Sequence, residues 1–132
     1  MSKFVFPSSP ALTNFAVTAL RVMAGLLFLE HGASKLLGFP HDPRFDGLQL
    51  VSLMGAAGAL ELVGGALIVL GLFTRATAFV LAGMMAVAYF MAHGSQGFFP
   101  ALNGGDAAIL FCFIFLYFLA AGPGPHSLDA RR

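Results

Sequence analysis

Ionisable side chains are scarce in this chain, and several stand where the surrounding sequence is apolar. Arg21 and Glu61 each lie near the middle of a long apolar run, while Glu30, His31, Lys35, His93, Asn103 and Asp106 gather where such runs begin or end. A guanidinium or ammonium group stabilises negative charge developing on a bound oxygen, and a carboxylate or imidazole exchanges protons with it. Two histidines at matched depth on separate helices also carry the donor atoms for a haem iron, a metal or a proton relay near neutral pH. No metal-binding motif is present. Cys112 is the only cysteine, which excludes an intrachain disulfide and any paired-cysteine redox or zinc motif.

The elements that position these groups are set by the solvent the chain requires. Of the 132 residues, 58% are hydrophobic and 10% charged, against about 25% charged in an average soluble domain. The mean hydropathy is +0.86. So few charges do not cover a water-facing surface at this length, and lipid is expected to supply the outer solvent. With a net charge of +1 and no basic stripe or polybasic run, nucleic acid is not an expected partner. The stretch Met1 to Asn14 lacks the charged start and small-residue cleavage site of a secretory signal, so the first apolar segment is expected to be retained.

A helix needs about 20 predominantly apolar residues to cross the roughly 30 Å hydrocarbon layer. Residues 12–31, 50–73, 76–93 and 106–121 answer that description, the last being short. They are joined by a polar segment from Gly32 to Gln49 containing Pro40 and Pro43, a tight turn at Thr74 and Arg75, and a Gly/Pro/Asn-rich stretch from Gly94 to Gly105. Continuous apolar runs without two-residue alternation contradict a barrel. The expected fold is all-α, a four-helix transmembrane bundle forming one domain over residues 1–132. An even number of spans puts Lys3, Arg75, Arg131 and Arg132 on one side and Lys35 and Arg44 on the other. The basic excess places both termini in the cytoplasm, in a cell inner membrane.

Because the first two spans run antiparallel, Arg21 and Glu61 are expected at similar depth and in contact, since an isolated charge at the bilayer centre costs at least about 2.5–3.5 kcal/mol. Glu61 shares a helical face with Met54, Ala57, Gly58, Gly64, Gly65 and Ile68, a small-residue face suited to close helix contact. Such a pair is either a structural clasp or a proton or substrate site. For the outer group, His31 and His93 as interfacial donors to loop carbonyls, and Lys35 reaching for the headgroups, are the bland alternatives. Tyr89 and Tyr117 read as packing or interfacial residues. Met23, Ala24, Phe28, His31 and Gly32 also align at constant offset with Met85, Ala86, Phe90, His93 and Gly94, as in two parallel hairpins with a ligand between them.

Taken together, Arg21 through His31-Gly32-x-x-Lys35-Leu36, the run Glu61-Leu62-Val63-Gly64-Gly65 to Leu70-Gly71-Leu72-Phe73-Thr74-Arg75, and the closing Gly122-Pro123-Gly124-x-x-Ser127-Leu128-Asp129 resemble the DoxX family of small four-helix membrane proteins. Asp106 stands where relatives usually carry Glu, and Pro125-His126 replaces a more typical basic-aromatic pair. The resemblance implies association with membrane oxidoreductase assemblies: similar proteins include a subunit of an archaeal thiosulfate:quinone oxidoreductase and a mycobacterial partner of superoxide dismutase and a thiosulfate sulfurtransferase.

Three functions follow as expectations. The first is a membrane oxidoreductase subunit, with Arg21, Glu61, His31, Lys35, His93 and Asp106 as ligand-binding or proton-relay candidates for a quinone, haem being the lesser cofactor option. The chain carries no evident redox centre, so electrons would come from a bound cofactor or from membrane or peripheral redox partners. The second is a noncatalytic scaffold of a larger complex, as a homo- or hetero-oligomer in lipid. The third is a carrier for a small solute or proton lined by Arg21, Glu61 and His93.

Overall fold

The computed structural model of the chain describes residues 7–132, so Lys3 lies outside the described residues. Those residues are helical without strands: α1 (Pro10–Leu37), α2 (Leu53–Leu70), α3 (Thr74–Ala88), α4 (Pro100–Asn103) and α5 (Asp106–Ala121), with short 3-10 turns between and after them. A π turn, Tyr89–His93, and a 3-10 turn, Gly94–Gln96, prolong α3. Among the described residues, three helices are long and apolar enough to cross a membrane: Pro10–Leu37, Leu53–Leu70 and Thr74–Gln96. The fourth, α5, is apolar over 16 residues, or about 24 Å at the α-helical rise.

Local signals at the helix ends explain the boundaries. Ser9 caps α1 by accepting from the Leu12 amide, and Gly38 ends it in a left-handed conformation with φ 68°. Nothing between His31 and Gly38 breaks the helix, so α1 outruns the expected end at His31 and carries Lys35 on its last turns. Ser52 caps α2 through the Gly55 amide, and Gly71 at φ 66° closes it. The turn therefore falls at Gly71–Phe73, and Thr74 and Arg75, expected as the turn, open α3.

Along the shared length of α1 and α2, glycines set the spacing. A Cβ on Gly65 would lie 2.5 Å from the Leu29 amide nitrogen, and one on Gly25 would lie 2.7 Å from that of Val69. Only a missing side chain permits this approach, and dispersion contact between the backbones replaces the hydrophobic drive that lipid removes. α3 and α5 form the second closely packed pair, whereas α1 and α5 meet sparsely, where the Phe28 ring stands edge-on to Phe111 and Phe115 at 4.9 Å. Phe28, Ile68, Ala78, Leu81, Ala82, Phe115 and Phe118 make the core. The bundle is thus two hairpins side by side.

The repeat noted in the sequence does not extend to equivalent packing. Phe28 is 4% exposed in the core while Phe90 is 72% exposed. The wider π turn takes Tyr89–His93 off the α-helical phase, so equal spacing in sequence does not give equal orientation.

Candidate functional site

Lys35 reaches from the last turns of α1 to the buried face of α2. Its Nζ donates to both carboxylate oxygens of Glu61, at 2.6 and 2.9 Å. The two side chains are 10% and 7% exposed. Gly58 makes the approach possible, because the space a side chain would take there is filled by Lys35 Cβ and the Leu36 side chain. The Phe45 ring stands 5.6 Å from Nζ, a cation–π contact that matters more the drier its setting.

This pairing corrects the expected Arg21–Glu61 contact. The α1–α2 register places Gly25 against Gly65 and Val69, and Gly32 against Gly58 and Leu62. Arg21 is then level with Ile68, about 10 Å along α2 from Glu61 at 1.5 Å per residue. Charge attraction does not slide this register, because the glycine contacts fix it.

Above the Lys35–Glu61 pair, a cavity of about 890 Å³ opens between the two hairpins. That volume lies within the roughly 300–1,000 Å³ range of small-molecule sites. Phe28, Met84, Met85, Ala88 and Phe111 make its walls apolar, and the segment after α1 contributes Pro40, Pro43 and Phe45. A smaller depression of about 230 Å³ runs along that same segment and shares Lys35, Asp42 and Phe45. The Arg44 guanidinium grips the Asp42 carboxylate at 2.6–3.1 Å. That bond holds the Asp42 pKa below the usual carboxylate range and raises that of Arg44. Ser34 Oγ donates to the Pro40 carbonyl at 2.8 Å, and His41 pairs with Asp46 at 2.9 Å.

The cavity also brings together Glu30, His31 and His93, which the sequence placed at the same end. His31 Nδ1 lies 2.6 Å from the Leu27 carbonyl and His93 Nδ1 lies 3.0 Å from the Asn103 carbonyl. A carbonyl only accepts, so each Nδ1 carries hydrogen and each neutral ring keeps Nε2 as its basic nitrogen. Asp106 does not join them. It is exposed at the first turn of α5, where a carboxylate suits the positive end of the helix dipole. Among the described residues no group of three or more His, Cys, Asp or Glu side chains converges to hold a metal ion. The Met84–Met85 wall and the Phe45 contact carry no signal in the sequence, since one depends on helix rotation and the other on loop path.

Arg21 serves the opposite end. It is 2% exposed and donates to three backbone carbonyls: Nε to Ile68 at 3.0 Å, Nη1 to Pro123 at 2.5 Å and Nη2 to His126 at 2.8 Å. The tail after α5 thereby folds onto the α2–α3 turn, where Leu128 and Asp129 donate their amides to the Leu70 and Gly71 carbonyls. The Asp129 carboxylate accepts from the Phe73 and Thr74 amides, both at 2.9 Å, and so caps α3 from a distance in sequence. Burial pushes the Asp129 pKa up, but the Thr74 and Phe73 donors and the nearby Arg132 outweigh it and leave it lowered. Arg75 closes the last carbonyls of α5 at Leu119 and Ala120. Orphan groups at three helix ends are satisfied in one knot.

A protein-family model, DoxX, matches residues 16–94. The chain belongs to the DoxX family. The matched residues include Lys35, Glu61 and His93, whereas the tail that holds Arg21 lies beyond them. This DoxX membrane protein is 42% identical to an uncharacterized protein of Haemophilus influenzae over 85% of this chain and 87% of that one. It is 31% identical to an uncharacterized membrane protein of Mycobacterium tuberculosis over 95% of this chain and 88% of the relative. A shorter match, 43% identical over 42% of this chain, covers 43% of CatD of Bacillus subtilis, a protein named as an oxidoreductase. No solved structure matches the chain.

Proposed function

We propose that this DoxX protein is the quinone-facing membrane subunit of an oxidoreductase assembly, and that the inter-hairpin cavity holds the quinone headgroup. The observation that carries this reading is the Lys35–Glu61 pair, buried beside an apolar cavity of ligand size. A structural ion pair alone needs no such opening, and an apolar ring needs walls like Phe28, Met84, Met85 and Phe111. The oxidoreductase name of the Bacillus relative supports the same class.

The residues present fit a quinone. A bound quinone accepts electrons and protons at its carbonyl oxygens. Lys35 Nζ, already fixed by Glu61, is placed to donate a hydrogen bond to such an oxygen, and its charge favours added electron density there. Glu61 holds the ammonium in place, and the Nε2 atoms of His31 and His93 offer basic nitrogens for proton exchange. Electrons come from a membrane or peripheral redox partner, since this chain's own side chains form no redox pair. In this reading the protein lies in the inner membrane, with its Arg75, Arg131 and Arg132 end and both termini in the cytoplasm.

The test is an absorption spectrum of protein purified in mild detergent, taken before and after chemical reduction, with quinone extracted and quantified. A quinone difference signal near stoichiometry, lost in Glu61→Gln and Lys35→Met, is the expected result. A reducible Soret band would instead assign His31 and His93 to haem iron. A featureless spectrum, with no quinone bound on addition, would leave the noncatalytic scaffold as the function.

A further inference from the structure

The segment that joins the α3 extension to α5 has a composition that does not suit water. Between His93 and Asp106 no residue is ionisable, yet Phe98 and Leu102 are each 85% exposed and Phe99 is 63% exposed. Its other side is polar and fixed to the bundle. Asn103, buried, donates from Nδ2 to the Gly97 carbonyl at 2.9 Å and to the Tyr89 hydroxyl at 3.2 Å, and its Oδ1 accepts from the Gly105 amide at 2.8 Å. Its carbonyl accepts from His93 Nδ1. The level of the segment follows from the helices at its two ends. Arg75, on the first turn of α3, bonds the Leu119 and Ala120 carbonyls of α5, so the two helices share a floor. From that floor the α3 extension to Gln96 runs 23 residues, about 34 Å, and α5 runs 16 residues, about 24 Å. The hydrocarbon layer is roughly 30 Å thick, so Phe98–Leu102 comes down across its edge. Asp106 sets the lower bound on depth, because its exposed carboxylate needs headgroups or water within reach. The three large apolar side chains set the upper one.

We infer that Phe98, Phe99 and Leu102 form an interfacial anchor whose partner is the lipid leaflet at the cavity end of the bundle, seated in the boundary between headgroups and acyl chains. Apolar and aromatic side chains buried about 5–10 Å into that boundary are what hold interfacial segments on a membrane. Because Asn103 carries both the anchor and the bond to His93, the anchor ties one wall of the cavity to the leaflet. This surface meets lipid whatever the cavity holds, so it does not depend on the quinone.

The chain has no tryptophan, so Phe98→Trp and Leu102→Trp each introduce a single indole at an exposed position. The full chain is reconstituted in phosphatidylcholine vesicles whose acyl chains carry bromine either near the headgroup or near the chain end, with aqueous iodide as a third quencher. Phe113→Trp, exposed midway along α5, is the reference for hydrocarbon depth. At positions 98 and 102 the shallow bromines should quench about twofold more strongly than the deep ones or better, with weak quenching by iodide. At position 113 the deep bromines should dominate. Unchanged helical circular dichroism shows that each variant folds, and Phe99→Trp replaces either one that does not. Strong iodide quenching without bromine quenching overturns the anchor and puts the segment in water. A depth profile like that of position 113 overturns it in favour of the hydrocarbon core. Protection from all three quenchers overturns it as well, since a second copy or a protein partner then covers the surface.

Discussion

Replacing Glu61 with Ala leaves the Lys35 ammonium in a site where both side chains are at most 10% exposed. Removing one partner of a buried pair costs about 3–5 kcal/mol. Here Nζ also borders an open cavity and the Phe45 ring, so it can turn toward either, and about 2–3 kcal/mol is expected, a 30- to 150-fold shift in the folded ratio. The paired replacement Lys35→Met with Glu61→Leu keeps the volume and removes both charges, and should fall within about 1 kcal/mol of wild type. Arg21 provides the control. Its partners are the Ile68, Pro123 and His126 carbonyls, so Arg21→Met and Glu61→Ala should add within about 0.5 kcal/mol. The chain has no tryptophan, and denaturant titration in mixed micelles can be followed by helical circular dichroism and by maleimide labelling of Cys112. A coupling near zero between positions 35 and 61, together with one above about 1 kcal/mol between 21 and 61, would refute the register argument.

Further outcomes follow from the same geometry. Gly65→Ala should separate α1 from α2 and cost about 1–3 kcal/mol through overpacking. Gly83→Ala, whose added Cβ meets nothing within 4 Å, should be neutral or stabilising by up to about 1 kcal/mol, both read by thermal unfolding. Arg21→Ala should free the tail, seen as rapid proteolysis after Gly122 with helix content otherwise kept. Asp129 has a lowered folded pKa, so its contribution is present above the unfolded value near about 3.9 and fades as pH falls through the folded one. Acidification below about pH 4 should cost wild type about 1 kcal/mol of stability as Asp129 protonates, whereas Asp129→Asn should lose about the same at neutral pH and show no such acid step.

Much of the site was legible because the bilayer makes it so. A lysine, a glutamate and two histidines among apolar runs are expensive unless they have partners or a purpose, and His31, Lys35, Glu61 and His93 do meet at one cavity. The pairing within that set was not legible. Placing Arg21 opposite Glu61 took the midpoints of two apolar runs as a ruler, but the true register comes from glycine contacts that hydropathy does not record. Asp106 was grouped by its position in the chain, and the first turn of α5 carries it outward.

The sequence by itself determined that this is a helical membrane protein of the DoxX family, because hydropathy and the Glu-Leu-Val-Gly-Gly, Gly-Leu-Phe-Thr-Arg and Ser-Leu-Asp runs are local properties of the chain. What those runs are for was decided by tertiary structure. Arg75 closes the end of α5 and Asp129 the start of α3, and Arg21 binds the tail that carries Asp129. Each satisfies backbone groups far away in sequence, which only the folded register brings within hydrogen-bond reach. The cavity is likewise a property of packing: the two hairpins join through α2 against α3, where Gly64 meets Leu81, and through Phe28 against Phe111 and Phe115, and no residue type announces the space left between helices.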